Sequence, residues 1–94
     1  MTDVHQGTCP LCSIAAEYEY VEGDAKKRQH FYCEQCKEFI IADIAKKKLL
    51  GNNERCSELS KLSASLGEDE LLHIYFEERV VKKRVEFKSF WRNL

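Results

Sequence analysis

The sequence of 94 residues predicts a single α+β domain, in which a small three-stranded antiparallel sheet is followed by two or three α-helices. Three observations lead to this fold class. Two pairs of cysteines stand in the first 36 residues, apolar and polar residues alternate around them, and apolar residues recur at helical spacing after residue 43. We therefore expect residues 1–42 to form the sheet and residues 43–94 to form a helical part packed on it.

The predicted sheet has three short strands. Residues 14–21 alternate between two faces, one of which includes Ala16 and Tyr18, and this period of two is typical of a strand. A turn is predicted at residues 23–26, after which the chain returns through residues 28–33 as the second strand. Residues 38–42 are short, apolar and β-branched, which predicts the third strand.

Two short helices are predicted after the sheet. Asp43 is suited to cap the first helix, and Gly51 is suited to end it in the left-handed conformation. Asn52 or Asn53 is suited to cap a second helix that runs to Leu66. We expect the two helices to pack on the sheet.

Residues 68–94 allow two interpretations. The segment contains no glycine or proline, and an apolar stripe at helical spacing passes through Phe76, Phe87 and Trp91, which favours a third helix. The valines at positions 80, 81 and 85 and the alternation around them favour a strand instead. We favour the helix. Since the chain has no repeat, linker or low-complexity run, we expect one domain.

The strongest motif is C-x2-C-x20-C-x2-C, formed by Cys9 and Cys12 and by Cys33 and Cys36. Two residues between cysteines let one turn direct both sulfurs at the same ion, and two such turns complete a tetrahedron of thiolates about 2.3 Å from zinc. The spacing therefore predicts one structural Zn²⁺. Four protein ligands leave no open position for a catalytic water.

With these motifs, the first half of the chain resembles the zinc ribbons, and in particular the small ribbons found at the start of many bacterial proteins. In those a YCxxC motif, a short apolar strand and a helix follow one another, as in HFYCEQCKEFIIADIAKKKLL here. The resemblance implies that the four cysteines are zinc ligands. Ribbons often have glycine after each CxxC, whereas this chain has Ser13 and Lys37, so we expect a strained or modified turn at both positions.

Other candidate residues have simpler interpretations. His5 and His30 lie near the cysteine pairs, but four sulfur ligands make either histidine unnecessary. Cys56 stands at helical spacing with Leu59, which predicts a thiol that faces the core. His73 has acidic neighbours in sequence, yet the chain has no glycine-rich phosphate loop, no GxSxG and no HExxH. We therefore expect no enzyme and no small-molecule substrate.

The net charge of −1 is the sum of blocks of opposite sign. Residues 67–78 carry five acidic and no basic side chains, whereas residues 79–94 carry six basic and one acidic. The candidate partner-binding residues belong to this last block. They are Lys82, Lys83, Arg84, Lys88, Phe90, Trp91 and Arg92.

Two functions fit this block. In the first, the chain is a protein-interaction or regulatory module, and the terminal stripe through Phe87, Phe90, Trp91 and Leu94 docks on a protein partner or on a second copy. In the alternative, the basic side chains bind nucleic acid and the aromatic ones stack on bases. We favour the first, because the isoelectric point near 6.3 and the acidic block oppose phosphate binding.

The expected location is the cytoplasm. No stretch approaches the roughly 18 apolar residues of a membrane span, and the first residues do not resemble an export signal. Cysteines stay reduced in that compartment and are free to bind metal. We therefore expect no membrane partner.

Overall fold

The computed structural model describes residues 4–21 and 28–92. Within these residues the chain forms six strands and three helices. The strands are β1 (His5–Thr8), β2 (Ala15–Tyr20), β3 (Gln29–Cys33), β4 (Lys37–Ile41), β5 (Glu70–Glu77) and β6 (Val80–Phe87). The helices are α1 (Asp43–Leu49), α2 (Asn53–Ala64) and α3 (Lys88–Arg92).

The described strands belong to one mixed sheet, in the order β1-β2-β3-β4-β5-β6. Neighbouring strands are antiparallel except β4 and β5, which run parallel with Phe39 opposite Leu72 and Ile41 opposite Ile74. A parallel pair needs a crossover of a dozen or more residues, and α1 and α2 provide it here. The two helices are therefore inserted between neighbouring strands of one sheet.

The predicted fold of a three-stranded ribbon followed by helices is wrong. Residues 70–87 form the hairpin β5–β6 in place of the favoured third helix, with Glu77 opposite Val80. Glu78 and Arg79 make its turn, both with positive φ (53° and 66°), as a two-residue turn matched to the twist of the strands requires. Helical order starts again only at α3. The physical reason is that β5 is buried on both faces beside β4, and valine-rich β6 covers its other edge.

The first strand was also not predicted. β1 has the sequence HQGT, whose residues are polar or small, and it pairs with β2 from His5 opposite Tyr18 to Thr8 opposite Ala15. Such a short polar strand has no alternation of apolar and polar residues from which it could be predicted. It forms because β2 offers it a free edge.

The other predicted elements are present. Strands β2, β3 and β4 and helices α1 and α2 lie where they were expected, although Asp43 is the first residue of α1 and not its cap. The side chain of Asn52 caps α2 by accepting a hydrogen bond from the backbone N–H of Arg55 at 3.1 Å. Gly51 has a φ of 82°, as a left-handed residue between two helices requires. The turn predicted at residues 23–26 lies outside the described residues.

The main core lies between one face of the sheet and the helices α1 and α2. Its sheet side chains are almost fully buried, and they are Phe31, Phe39, Ile41, Leu72 and Ile74. Ala45 and Leu49 of α1 and Leu59 of α2 cover them. On the opposite face, Trp91 packs against Ile40 and Leu71. Helix α3 therefore turns back across the sheet toward β4.

Truncation of a core side chain tests this packing. We expect Ile74→Ala to lower the free energy of unfolding by about 2–5 kcal/mol, because Ile74 is fully buried on β5. Leu50→Ala is the matched control: Leu50 is 78% exposed, so its truncation should change stability by less than about 0.5 kcal/mol. Urea unfolding followed by circular dichroism measures both. Equal effects of the two substitutions would contradict the placement of β5 in the core.

Candidate functional site

The four predicted metal ligands meet at one end of the sheet. Cys9 and Cys12 lie between β1 and β2, Cys33 ends β3, and Cys36 precedes β4. Their sulfur atoms all lie within 4.8 Å of one another. The Sγ atoms of Cys9 and Cys36 are 3.8 Å apart, and those of Cys12 and Cys33 are 3.4 Å apart. Sulfurs placed tetrahedrally about 2.3 Å from an ion are separated by about 3.8 Å. The cluster can therefore hold a metal ion.

The backbone turns sharply after each cysteine pair. Ser13 has a φ of 67° and Lys37 has a φ of 64°, both in the left-handed region that glycine tolerates best. In the first turn the N–H of Ser13 donates to the carbonyl of Cys9 at 2.9 Å, and the N–H of Cys9 donates to Ile14 at 2.8 Å. Of the strained or modified turns expected at these two positions, the strained ones are present. The chain keeps the turn geometry without the glycines that usually provide it.

Helix α2 closes the cysteine cluster from the side. The Oγ of Ser60 lies 3.0 Å from the Sγ of Cys36, and the hydroxyl of Ser63 donates to the carbonyl of Cys36 at 2.6 Å. The N–H of Cys36 also donates to the Sγ of Cys33 at 3.4 Å. Cys9 and Cys36 are buried, with 1% and 0% of their surface exposed. The sequence did not single out the two serines, although their spacing of three residues places them on one face of α2.

Hydrogen bonds between the cluster thiols, together with burial, shift the pKa values of Cys9, Cys12 and Cys36. The hydrogen bond from Cys36 lowers the pKa of Cys9 to about 5, whereas it raises the pKa of Cys36 far above its ordinary value. Burial raises the pKa of Cys12 to about 11. Because thiolates are the ligand form, a bound cation favours deprotonation of all four groups, and binding releases protons.

The remaining cysteine and two histidines stand outside this cluster. Cys56 is buried in the main core and donates to the carbonyl of Leu49 at 3.5 Å, which confirms the prediction of a core-facing thiol. Burial raises the pKa of Cys56. His30 lies 3.1 Å from a carboxylate oxygen of Glu38, and the ring of His5 stacks on that of Tyr18. The described residues that gather around one ion position are therefore the four cysteines.

The basic and aromatic candidates of the last block do not share one face. The side chains of Lys82 and Arg84 project from one face of β6, and that of Lys83 projects from the other. Phe90 is 58% exposed on α3, whereas Trp91 is 8% exposed and packs on the sheet. The side chain of Arg92 and residue Leu94 lie outside what the structure describes. The predicted docking stripe through Phe87, Phe90, Trp91 and Leu94 is not one exposed surface either, because Trp91 is buried on the sheet.

Three of the basic candidates lie next to carboxylates. The Nζ of Lys82 is 3.3 Å from Glu78, and the Nζ of Lys88 is 3.7 Å from Glu38. The guanidinium of Arg84 is paired with Glu86. These contacts reduce the positive charge that the block presents to an anionic partner.

A buried polar cluster holds α3 against the sheet. His73 is 3% exposed, and its Nδ1 lies 3.1 Å from one oxygen of Glu86. The other oxygen of Glu86 accepts a hydrogen bond from the indole N–H of Trp91 at 2.6 Å. The guanidinium of Arg28 lies over the Trp91 ring, 4.8 Å from its centroid. The partner of His73 is therefore Glu86 on the neighbouring strand, and not one of its acidic neighbours in sequence.

The pKa values in this cluster follow from burial and from the contact between its members. Burial lowers the pKa of His73 more than the contact with Glu86 raises it. Burial raises the pKa of Glu86, but the hydrogen bonds from His73 and Trp91 and the charge of Arg84 lower it by more. Glu86 is then ionised and His73 is neutral near pH 7, so the Nδ1–H of His73 donates to the carboxylate.

Comparisons with known proteins assign no family to the chain. A scan against protein-family models gives no match, and searches of curated proteins and of solved structures give none either. The resemblance to zinc ribbons therefore rests on the four cysteines and their two turns. In the described part of the chain, the helices are too short or too polar to cross a membrane.

Replacement of one cluster cysteine tests the metal centre. We expect Cys36→Ser to lose most of the bound metal and to unfold at a much lower temperature, because the variant lacks a buried ligand that Ser60 and Ser63 hold in place. Cys56→Ser is the matched control, since Cys56 is buried but lies outside the cluster. It should keep one metal ion per chain, as measured by elemental analysis. Equal metal content in the two variants would overturn the ligand assignment.

The pH dependence of stability tests the buried His73. Because burial lowers the pKa of His73 below its unfolded value of 6.5, the unfolded chain binds a proton that the folded chain does not. The free energy of unfolding should therefore fall below about pH 6.5, by up to about 1.4 kcal/mol per pH unit. Between pH 7.5 and 5.5 this loss should be smaller in His73→Gln than in the wild type. Parallel pH profiles of the two proteins would contradict the burial of a neutral histidine.

Proposed function

We propose that the chain is a non-enzymatic module in which one structural Zn²⁺ fixes the sheet and the outer edge of β6 binds a protein partner. Four thiolates in tetrahedral spacing suit Zn²⁺ or an iron centre, and the C-x2-C spacing favours zinc. All four ligands come from the protein, so the ion has no open position at which to activate water. The cytoplasm, where thiols stay reduced, is part of this proposal.

The observation that carries the interaction function is the exposed edge strand β6. It is eight residues long and pairs with β5 on one side, and it is the last strand of the described sheet. Its side chains Val85 and Phe87 are 45% and 64% exposed. Proteins usually shorten, charge or cover such an edge, because its free backbone groups and apolar side chains pair with other chains. Although β6 is charged at Lys82, Lys83, Arg84 and Glu86, two apolar side chains stay exposed beside its free backbone groups, and this supports a docking role.

The alternative of nucleic-acid binding has one observation in its favour. Arg28, Tyr75 and Arg84 line an open groove of about 600 Å³, whose other lining residues include Ile44 of α1. An arginine and an aromatic ring in one groove are the groups that single-stranded nucleic acids bind. However, Glu77 lines the same groove, and Arg84 is paired with Glu86. We therefore place this function second.

Site-specific photo-crosslinking in cells that carry the protein separates the two functions. A photoreactive benzoylphenylalanine in place of Phe87 should give discrete covalent adducts that protease removes and nuclease does not, because Phe87 lies at the proposed docking edge. The same substitution at Tyr20 is the matched control, since Tyr20 is an exposed aromatic residue on β2.

Two results would count against the proposed function. Adducts that nuclease removes would favour the nucleic-acid alternative. Adducts of equal yield from positions 87 and 20, or none from position 87, would show that the edge of β6 does not bind a specific protein.

A further inference from the structure

Two hydrogen bonds show which backbone groups of β6 point away from the sheet. The N–H of Lys88 donates to the carbonyl of Asp69 at 2.8 Å, which extends the β5–β6 pairing by one bonded pair. In an antiparallel ladder, bonded and non-bonded pairs alternate along the strands. The residues of β6 that bond to β5 are therefore Glu86, Arg84, Lys82 and Val80.

The remaining residues of β6 direct their N–H and C=O groups outward. For Val81 this is seen directly, because its carbonyl accepts a hydrogen bond at 3.3 Å from the guanidinium of Arg55 on α2. By the same alternation, the outward residues that follow are Lys83, Val85 and Phe87. Helix α2 thus occupies the outer edge at Val81, whereas Lys83, Val85 and Phe87 are exposed.

The chain after β6 turns away from this edge. Lys88 reaches Glu38 on β4, and Trp91 packs on Ile40 of the same strand. Helix α3 therefore crosses the sheet toward its centre. Among the described residues, no strand pairs with the outward groups of Lys83, Val85 and Phe87. Two exposed apolar side chains, Val85 and Phe87, stand beside these groups.

We infer that this edge binds a second copy of the chain, through antiparallel pairing of β6 with β6 about a two-fold axis. The inference rests on the proposed function and names its partner. The axis would pass between Val85 and Val85 of the second copy. This arrangement pairs outward backbone groups with outward ones, and it joins the two sheets into one.

The side chains of β6 are complementary in this register. Arg84 lies opposite Glu86 of the second copy, twice by symmetry, and Lys83 lies opposite Phe87 of the second copy. A shift to the next register on one side places Arg84 opposite Arg84 and Lys82 opposite Glu86, and a shift on the other side places Glu86 opposite Glu86. Of these three registers, only the one centred on Val85 places no like charges opposite each other within β6; its one like-charged pair, Lys82 and Lys88, lies where the strand has ended.

The pairing is also closed. Each copy uses the same strand, so the contact is isologous, and the β6 edges of both chains are occupied within the dimer. The other end of the sheet is β1, whose four residues are HQGT and carry no large apolar side chain. A short polar edge is a poor template for further pairing. The expected assembly is a dimer and not a fibre.

Sedimentation equilibrium of the full zinc-loaded chain tests this inference. The wild type should have about twice the monomer mass of 11.0 kDa. Val85→Pro should be monomeric, with the dimer dissociation constant raised by at least about a hundredfold, because proline removes an outward N–H from each copy and leaves the bonds to β5 intact. Tyr20→Ala is the matched control: Tyr20 is an exposed aromatic residue on β2, four strands away from β6 in the sheet, so the variant should stay dimeric.

A second variant covers the case in which Val85→Pro does not fold, as judged by circular dichroism and zinc content. Val85→Lys keeps the backbone N–H and places two like charges opposite each other at the axis, so it should also be monomeric. The inference is overturned if the wild type is a monomer at every concentration, or if a folded Val85 variant stays dimeric.

The photo-crosslinking experiment separates failure of this inference from failure of the proposed function. Monomeric wild type together with protein adducts from position 87 would identify the occupant as a different protein and leave the proposed function standing. Monomeric wild type without such adducts would remove both.

Discussion

The four-sulfur cluster is the constraint on which the rest of the structure depends. It ties the connection between β1 and β2 to the turn between β3 and β4, and through Ser60 and Ser63 it also ties α2 to that turn. A structural zinc ion contributes about 10–16 kcal/mol of apparent binding free energy, which matches the whole net stability of a small domain. If the cluster binds zinc, the metal therefore adds to the stability that the core between the sheet and the helices α1 and α2 provides.

The position of the cysteine cluster explains why β6 is the outermost strand of the sheet. With the start of β4 anchored at Cys36 and α2 anchored over it, the crossover α1–α2 returns the chain beside β4, and β5 runs parallel to it. The hairpin then adds β6 as the outermost strand. The basic side chains that follow β5 have acidic partners close by: Lys82 lies next to Glu78 in the hairpin turn, and Arg84 is paired with Glu86 on the same strand.

The sequence predicted local features well and long-range pairing poorly. The cysteine spacing identified the metal cluster, and short-range patterns placed β2, β3, β4, α1 and α2 within a few residues. The hairpin β5–β6 was misjudged because Phe76, Phe87 and Trp91 happen to fall at helical spacing. What decides this segment is the burial of Leu72 and Ile74 against β4, a contact between residues more than 30 positions apart. The contact of His73 with Glu86 depends on the register between β5 and β6, so it could not be predicted from the sequence either.

X-ray absorption at the zinc edge of the purified protein is the most direct test of the central claim, that four thiolates hold one closed structural zinc ion. The account predicts one zinc per chain with four sulfur neighbours at about 2.3 Å and no nitrogen or oxygen neighbour. A first shell that contains nitrogen or oxygen, or fewer than four sulfurs, would contradict it. Such a shell would mean that a histidine or a water molecule is a metal ligand, and that the four cysteines do not fill the coordination sphere.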